Sequence, residues 1–433
     1  MKHSITVCLG ESAIEAGTLA FEAKGARQAV SFVYTADWLA HPDRFALSPD
    51  LPLVSGHQFR ARKDPNQSAF FGCFTDLEPD GWGRMVIMRD YARQRKEAGG
   101  TLPPVGMLTD FDFLLWVNDF SRIGAIRFRD NKGIFHRSSG GKRETPPLIE
   151  LPHLLSASKA VEENKETARD LEYLRGNGTS LGGLRPKCSI LDADGSLAVG
   201  KFPSVKDTRS IVHGEVLALN LAELAGIKAA KGRVVDSGGV PVAVITRFDR
   251  REGKRLMYLS ARSLMQATPA KQYTYVDIAD TIRMHSGQAA KDLKELWRRM
   301  VFNILINNVD DHLNNHGFLH HAHGQWNLAP AFDLNPFPDK ERALKTWVSE
   351  EAGDVASLEE ALAVAPLFGL TKGAEQVVLD EVKSTVTQWK AVARSIGMSS
   401  ADIDSFAPAF EHAELKTEAT RSSAVRGRLS KLK

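Results

Sequence analysis

The sequence has few cysteines, no long apolar run and little net charge. Its three cysteines, Cys8, Cys73 and Cys188, are an odd number without metal-like spacing, which favours a reducing, cytoplasmic compartment. No run approaches the roughly 20 apolar residues of a membrane span, and the first residues lack the apolar core of a signal peptide. A net charge of +3 is too small to indicate nucleic-acid or membrane binding by itself. We therefore expect a cytoplasmic globular protein without membrane contact.

Changes in the spacing of apolar residues along the chain predict an α+β protein of several domains. The 433 residues contain no internal repeat, and this length favours about two to four domains or subdomains. Residues 29–34 predict a strand, residues 188–202 a β-hairpin around an Asp-Gly turn, and residues 232–245 a second hairpin. Helical spacing prevails beyond about residue 255. We divide the chain into an N-terminal subdomain (1–108), a β-rich lobe (109–254) and a helical lobe (255–433).

Two helices are predicted with particular clarity. The first covers residues 212–225, with Gly226 at the position of a helix-ending glycine. The second shows the i, i+3, i+4, i+7 spacing of a buried helix face. Its apolar residues are Leu293, Leu296, Trp297, Met300, Val301, Ile304 and Leu305. A β-rich half that precedes a helical half is the plan of a two-lobe kinase-like fold.

The stretch that follows the second helix has the spacing of a kinase catalytic loop. In protein kinases an aspartate orients the acceptor hydroxyl, an asparagine five positions later holds one Mg²⁺, and an aspartate on a following strand holds the other. Asp310, Asn315 and Asp333 fit these three places. The form D-x-H-x-x-N is similar to the lipid-kinase-like branch of the superfamily. A polar turn that ends an apolar helix is the alternative interpretation.

The β-rich half offers a phosphate-binding loop and a positive charge. Residues 176–187 are rich in glycine and lead into a strand, so their backbone N–H groups are suited to phosphate oxygens. Lys201 lies on the next strand, where a kinase places the lysine that contacts the phosphates, and Glu215 follows on a helix, where a kinase places that lysine's glutamate. A surface turn, a solvated lysine and a solvated glutamate are the alternatives.

Histidines crowd the region around the predicted catalytic loop. His312 and His316, four residues apart beside Asp310, also suggest a transition-metal hydrolase, although no defined metal motif accompanies them. We interpret His312 as a structural or phosphate-facing member of the catalytic loop. His320 and His321 are predicted to lie on an exposed hairpin.

Ordered blocks of sequence extend the pattern over most of the chain. Phe32–Trp38 and Leu47–Pro52 come first. They are followed by Gly178–Lys187, Gly200–Ser204, Thr246–Arg250, Tyr258–Ala261, Asp310–Asn315 and Ala331–Pro336. In these blocks the sequence resembles the HipA-like serine/threonine kinase toxins of bacterial type II toxin–antitoxin systems. The resemblance implies a two-lobe kinase-like fold and the use of ATP and Mg²⁺.

The resemblance also implies roles for single residues. Asp310 would be the base, assisted by His312, while Asn315 and Asp333 would hold Mg²⁺. The residues implied to bind ATP are Ser180, Gly182, Gly183, Lys201, Glu215, Thr246, Arg247 and Phe248, of which residues 246–248 would form the hinge beside adenine. At the place of Thr246 the family's well-studied member has an acidic residue. Ser180 falls where that member carries a serine whose autophosphorylation inactivates the enzyme.

Three classes of function follow. The first is a toxin kinase that phosphorylates a translation component such as a tRNA synthetase and pairs with a small DNA-binding antitoxin, through which its contact with DNA would be indirect. The second is a non-catalytic kinase fold that binds nucleotide or docks to such an antitoxin. The third is the metal-dependent hydrolase. Because no metal-binding or base residue of the kinase pattern is missing, we favour the first.

Overall fold

The N-terminal segment is organised around a five-stranded antiparallel sheet. The computed structural model describes residues 2–24, 27–62, 64, 67–79, 81–138, 145–177 and 183–415. The sheet has the order β4-β3-β2-β1-β5, with strands β1 (Lys2–Leu9), β2 (Ile14–Lys24), β3 (Arg27–Tyr34), β4 (Gln58–Ala61) and β5 (Ile126–Arg129). Burial alternates along β3, where Val30, Phe32 and Tyr34 face the core, as the two-residue period of a strand requires. The strand predicted at residues 29–34 is confirmed.

Among the described residues, four helices lie between β3 and β5 along the chain. Strand β5 extends the sheet beyond the predicted N-terminal subdomain. The helices are α1 (Ala36–Ala40), α2 (Gly72–Thr75), α3 (Gly81–Glu97) and α4 (Asp110–Trp116). Strand β5 lies beyond residue 108, where the sequence division ends the subdomain, yet it pairs with β1 through Leu9 and Ile126. A strand that joins from later in the chain gives no local signal of its partner.

A second sheet occupies the middle of the chain. The elements of this segment are α5 (Leu151–Glu162), α6 (Ala168–Asn177), β6 (Lys187–Leu191), β7 (Leu197–Lys201), α7 (Ile211–Leu224), β8 (Gly232–Asp236) and β9 (Pro241–Thr246). The strand order is β6-β7-β9-β8. Both predicted hairpins are confirmed: Asp192 N–H donates to Ser196 O at 2.8 Å in the first turn, and Ser237 N–H to Val240 O at 2.9 Å in the second.

The sheet is stabilised by helices of the same unit. Trp82 and Val86 of α3, together with Leu154 and Val161 of α5, pack against the apolar face that includes Ile190. Each such side chain contributes roughly 1.5–3 kcal/mol when fully buried. The helix predicted at residues 212–225 is α7, and it is followed by Gly226 in the left-handed region at φ +75°, a conformation that glycine adopts without strain.

The last part of the chain is mainly helical. Its elements are β10 (Arg250–Arg251), β11 (Lys254–Arg255), β12 (Tyr258–Ser260), α8 (Ala261–Leu264), α9 (Tyr275–His285), α10 (Ala289–Leu305), β13 (Gly317–His320), β14 (Trp326–Leu328), α11 (Leu358–Val364), α12 (Ala374–Val386), α13 (Trp389–Ser395) and α14 (Ser400–Phe410). Helix α10 is the second predicted helix. Trp297, on its apolar face, is fully buried and donates its indole N–H to Ala361 O at 2.8 Å.

The chain divides into two units, each assembled from separate stretches. The first contains Met1–Asp207, Val235–Pro269 and Gly317–Ala329, and the second contains Thr208–Val234, Ala270–His316 and Pro330–Lys433. These units differ from the three contiguous segments predicted from the sequence, 1–108, 109–254 and 255–433. That domain division stays a prediction. None of the helices that the structure describes combines the length and apolar character needed to cross a bilayer.

Candidate active site

The predicted catalytic loop begins where α10 ends, in the second unit. The chain leaves the helix through Asn307, which has a left-handed φ of +53°, and Asn308 N–H donates to Asn303 O at 2.9 Å. A left-handed conformation costs an ordinary residue about 1 kcal/mol or more, and such strain is concentrated at functional sites. The asparagine pair therefore ends α10 and turns the chain toward Asp310.

Asn307 also joins this loop to the one that carries Asp333. Its side-chain amide donates to Phe337 O at 2.5 Å, and its carbonyl accepts from Phe337 N–H at 3.2 Å. The guanidinium of Arg342 lies 3.4 Å from the Asn307 side-chain oxygen. Because Asn307 precedes Asp310 by three positions and Phe337 follows Asp333 by four, these bonds hold the two predicted functional loops together.

The base of the loop is a buried polar network around Asp311. This carboxylate is 4% exposed and accepts hydrogen bonds from the Tyr275 hydroxyl, from Asn303 Nδ2 at 3.0 Å and from His316 Nε2 at 2.9 Å. Burial by itself raises the pKa of Asp311, but the His316 ring and the hydrogen bonds outweigh burial and lower that pKa below its usual value of 3.8. Burial raises the pKa of Tyr275 well above its usual value, so this phenol is a hydrogen-bond donor. The network fixes the loop from beneath.

Asp310, the predicted base, has a different environment from its neighbour. Its side chain is 36% exposed and is paired with Lys345, while Asn315 Nδ2 lies 3.5 Å from the Asp310 carbonyl. The turn Leu313–Asn315 closes with Asn315 N–H donating to His312 O at 2.8 Å. Within the described part of the chain, the buried Nδ1 of His312 has no hydrogen-bond partner. The loop thus presents a carboxylate, an amide and an unbonded ring nitrogen.

Asp333 follows a short backbone bridge in the same unit. Ala331 pairs with Ala229, with Ala230 N–H donating to Ala331 O at 2.8 Å. The next loop begins with Asp333 at a left-handed φ of +56°, and Asn335 Nδ2 donates to its Oδ1 at 3.2 Å. Like Asn307, Asp333 is a non-glycine residue with a left-handed φ, and it is also a predicted metal ligand.

The donor set of these loops suits Mg²⁺ better than a transition metal. Mg²⁺ in kinases is held by one or two carboxylate or amide oxygens together with phosphate oxygens, and Asp333 and Asn315 supply such groups. In the described ranges, which omit residues 178–182 and the C-terminal tail, no group of three or more His, Cys, Asp or Glu side chains is arranged to hold a metal ion. His316 Nε2 lies 2.9 Å from Asp311 Oδ2, so this ring nitrogen belongs to the buried network.

The predicted phosphate-binding residues lie in the first unit. Lys201 is the last residue of β7 and is directly opposite Lys187 of β6. Residues in such register have side chains on the same face, and like charges there repel unless an anion or other partner compensates them. Gly183 has a φ of +95°, a left-handed backbone conformation that favours glycine. Ser180 and Gly182 lie outside the described residues.

The predicted hinge combines a strand end with a buried ion pair. Thr246 ends β9 opposite Ala198, and Phe248 packs against Tyr258 with ring centroids 6.4 Å apart. The Arg247 guanidinium, only 6% exposed, donates to both carboxylate oxygens of Asp249 at 2.8 and 2.6 Å and to Ser121 O at 2.6 Å. Its side chain is engaged in holding the fold, so a nucleotide contact at Arg247 would have to use the backbone. Glu215 is buried on α7, in the second unit.

The expectation for the histidine hairpin is confirmed for His321, which is exposed, and wrong for His320, which is half-buried. The hairpin of β13 and β14 exists, with Gly324 in its turn, but His320 is not exposed. Its ring stacks on Phe45 with centroids 3.7 Å apart and meets Trp326 edge-on. Desolvation lowers the pKa of His320 to about 4, so the ring is neutral and belongs to an aromatic cluster. No local pattern predicts that Phe45, some 270 positions earlier in the chain, stacks on His320.

Several residues of the site were missed by the sequence argument. Asn303, Tyr275 and Lys345 contact the Asp310–Asp311 pair from three separate segments. Only Asn303 gives a local signal, because it is a polar residue among the buried positions of α10.

Comparison with family models identifies the family. The HipA N-terminal domain matches residues 6–109 and the HipA-like C-terminal domain matches residues 179–389, which together make up well over half of the chain. The chain belongs to the HipA-like family. This confirms the resemblance that the ordered sequence blocks indicated.

Relatives and a solved structure agree with this assignment. The chain is 25% identical over 187 residues to a "putative kinase" of Haemophilus influenzae, covering 37% of this chain and 54% of the relative. It is 25% identical over 245 residues to the "putative kinase Y4dM" of Sinorhizobium fredii, covering 51% and 59%. The chain thus spans about half the length of the curated relatives it matches.

The solved structure is that of Shewanella oneidensis HipA, determined with HipB and operator DNA. It aligns over 96% of this chain and 97% of that chain, with a TM-score of 0.64 and 15% identity. At this identity the likeness concerns the fold alone. The predicted α+β, two-lobe kinase-like fold is confirmed.

Proposed function

We propose that this protein is a Mg²⁺- and ATP-dependent serine/threonine protein kinase. The observation that carries the proposal is the pair of loops joined by Asn307, which bear Asp310, Asn315 and Asp333 beside the buried, hydrogen-bonded carboxylate of Asp311. Phosphoryl transfer requires positioning and charge neutralisation rather than a covalent intermediate, and a rigid loop of this composition provides positioning.

Each predicted residue has one task in this proposal. Asp310 accepts the proton of the acceptor hydroxyl and orients it toward the phosphorus. Asn315 and Asp333 hold Mg²⁺, which when bound neutralises phosphate charge. Lys201 binds the phosphates, Gly183 lies in the loop that faces them, and residues 246–248 contact adenine through backbone groups and Phe248. His312, whose buried Nδ1 has no hydrogen-bond partner among the described residues, assists Asp310.

The role in the cell is proposed from family membership. The protein would act as the toxin of a toxin–antitoxin system and phosphorylate a translation component, for which a tRNA synthetase is the first candidate. Its partner would be a small DNA-binding antitoxin, in line with the HipB and operator DNA found with the Shewanella oneidensis protein. Contact with DNA would then be indirect, and the protein would act in the cytoplasm.

Self-inactivation through Ser180 is part of the proposal. Ser180 lies in the glycine-rich loop, outside the described residues, and a phosphoserine there adds a charge of about −1.5 to −2 at neutral pH. That charge repels the phosphates of ATP and favours nearby cations. Beside this loop, Arg185 is paired with Asp207 through two bonds of 2.8 and 2.6 Å, a pair that a phosphate would have to displace.

Mass spectrometry after incubation with Mg²⁺ and ATP tests the proposal. We expect one phosphate at Ser180 in the wild type and none in Asp333→Asn, which should remain folded. Ser180→Ala should stay unmodified at that position and keep its activity longer. Asp280→Asn is the control, because Asp280 is a 64% exposed residue of α9 paired only with Arg283 in the described structure. If a folded Asp333→Asn protein phosphorylates itself to the same extent as wild type, the assignment of Asp333 as a metal ligand is contradicted.

A further inference from the structure

Two ammonium groups from the segment after Asp333 flank the carboxylate of Asp310. Lys345 pairs with its Oδ1, and Lys340 Nζ lies 3.9 Å from its Oδ2. Lys340 has a second partner, because its Nζ is 3.6 Å from the centroid of the Phe337 ring. Two ammonium groups therefore lie close to one partly exposed carboxylate, within reach of an anionic group that approaches it.

The backbone of Lys345 is held by hydrogen bonds, while its side chain is largely exposed. Its N–H donates to Val309 O at 3.1 Å, and the next N–H, of Thr346, donates to Asp311 O at 3.1 Å. Gln272 Nε2 donates to Lys345 O at 2.5 Å. These bonds hold the Lys345 backbone on both sides of Asp310, yet the side chain is 57% exposed. The ammonium can therefore change partner within a few ångströms without movement of the chain.

Folding does not require the contact between Lys345 and Asp310. An ion pair with this much exposure contributes little to stability, because water and salt screen it and ordering two side chains costs entropy. The neighbouring Asp311, by contrast, is buried and bonded to three side chains. The structural anchoring of the loop thus lies with Asp311, and the exposed pair is available for another purpose.

We propose that Lys345 is a catalytic residue that contacts the phosphoryl group during its transfer. This inference rests on the proposed kinase function. An acceptor oxygen bonded to Asp310 lies about 3 Å from the carboxylate, and the phosphorus about 3–3.5 Å from that oxygen. An ammonium already in contact with Asp310 Oδ1 is therefore within reach of the anionic phosphoryl oxygens.

The step balances with Lys345 remaining protonated throughout. The acceptor oxygen forms a bond to the γ-phosphorus while the bond between this phosphorus and the β–γ bridging oxygen breaks. The electron pair of the broken bond stays on that oxygen of ADP, and the acceptor proton passes to the Asp310 carboxylate. As Asp310 becomes neutral its attraction for Lys345 declines, and the ammonium exchanges this contact for the phosphoryl oxygens.

Nucleotide affinity provides a test that does not depend on turnover. The affinities for ATP and for ADP are measured by calorimetry with Mg²⁺ for wild type, Lys345→Ala and Lys345→Arg. We expect Lys345→Ala to bind ATP about tenfold more weakly while its ADP affinity is unchanged, because only ATP has the group that Lys345 contacts. Lys345→Arg should retain most of the preference for ATP. The control is Lys390→Ala, which removes a 43% exposed lysine paired with Glu411 at 2.6 Å.

The Asp310→Asn variant tests whether Lys345 exchanges its contact with Asp310 for the phosphoryl oxygens or stays in a fixed ion pair. Without its carboxylate competitor, Lys345 should bind ATP more tightly, so the preference for ATP over ADP should rise in Asp310→Asn. It should fall again in the double variant with Lys345→Ala. The rate at which the labelled γ-phosphate is transferred from ATP to protein or to water should decrease roughly 10²-fold in Lys345→Ala.

The outcomes separate this inference from the proposed function. If wild type binds ATP but transfers no phosphate, the proposed kinase function is wrong. The ATP and ADP affinities of wild type and Lys345→Ala then still show whether Lys345 contacts the γ-phosphate. If wild type transfers phosphate and Lys345→Ala keeps both rate and preference, only the role of Lys345 is overturned. Equal weakening of ATP and ADP binding in Lys345→Ala would also overturn it. Absence of nucleotide binding by wild type would overturn both.

Discussion

Two adjacent aspartates in this chain have opposite environments and, by our account, opposite tasks. Asp310 is about one-third exposed and is paired with an exposed lysine, whereas Asp311 is buried and accepts bonds from Tyr275, Asn303 and His316. A partly exposed carboxylate can exchange a proton with a substrate. A buried one with three donors is held in place, and so it positions its neighbour.

Replacement of Asp311 should therefore destabilise the protein. We expect Asp311→Ala to lower the free energy of unfolding by about 3 kcal/mol, because three buried donors lose their acceptor. Urea unfolding at neutral pH measures this, with the exposed Asp280→Ala expected within about 0.5 kcal/mol of wild type. Since the folded pKa of Asp311 lies below 3.8, its contribution is present above about pH 4 and is lost as pH falls further. A wild-type midpoint for Asp311→Ala would contradict the anchoring role.

Lys201 allows a second prediction at the scale of one residue. Lys201→Ala should raise the KM for ATP by about tenfold, because a charge-assisted bond to the phosphates is lost. Steady-state kinetics over a range of ATP concentrations measure the change. Lys206→Ala, which removes an exposed lysine five positions later, is the matched control. Equal KM values for Lys201→Ala and the control would remove Lys201 from the nucleotide site.

At the scale of elements, the first unit contains a carboxylate that links two short helices. Asp76, at the end of α2, accepts from Ser260 N–H at 2.7 Å, from Ser260 Oγ at 2.7 Å and from Ser263 Oγ at 2.8 Å, at the start of α8. Desolvation raises the pKa of Asp76 from 3.8 to about 6, and the hydrogen bonds only partly oppose it. The folded protein therefore holds this proton more tightly than the unfolded chain does.

The stability of the wild type should accordingly depend on pH in a defined direction. Between about pH 4 and 6 the folded state binds the extra proton, so the Asp76 contribution to the free energy of unfolding decreases as pH rises and is constant above that window. Asp76→Asn should remove about 2–3 kcal/mol of this decrease. Unfolding measured at several pH values tests it, with the exposed Asp43→Asn as a control that keeps the wild-type slope. An unchanged slope in Asp76→Asn would refute the assignment.

The elements with strong local signals were predictable, and the others were not. The Asp-Gly turn at Asp194 fixed the first hairpin, and the apolar spacing of α10 fixed that helix. Spacing within one loop allowed Asp310 and Asn315 to be predicted as neighbours, and Asn315 Nδ2 lies 3.5 Å from the Asp310 carbonyl, while their catalytic roles stay predictions. Contacts from distant segments, such as Tyr275 or Lys345, depend on the folded chain and leave no periodicity to read. His320 illustrates the limit, because its burial depends on Phe45.

At the scale of the whole molecule, the account predicts an effect on growth. Expression of the wild type should slow bacterial growth, and Lys201→Ala should not, because the proposed toxicity requires nucleotide turnover. Growth curves at matched expression, confirmed by immunoblot, provide the measurement, with Lys206→Ala expected to be as toxic as wild type. Equal arrest by wild type and Lys201→Ala would favour the non-catalytic binding module instead.

The most direct test of the central claim is phosphate transfer by Asp310→Asn. With γ-labelled ATP and Mg²⁺, wild type and the Asp280→Asn control should incorporate label into protein at equal rates. The folded Asp310→Asn protein should be slower by at least about 10²-fold, because the acceptor hydroxyl loses its base. Label incorporation by Asp310→Asn within threefold of wild type, at an unchanged melting temperature, would contradict the assignment of Asp310 and the proposed kinase mechanism with it.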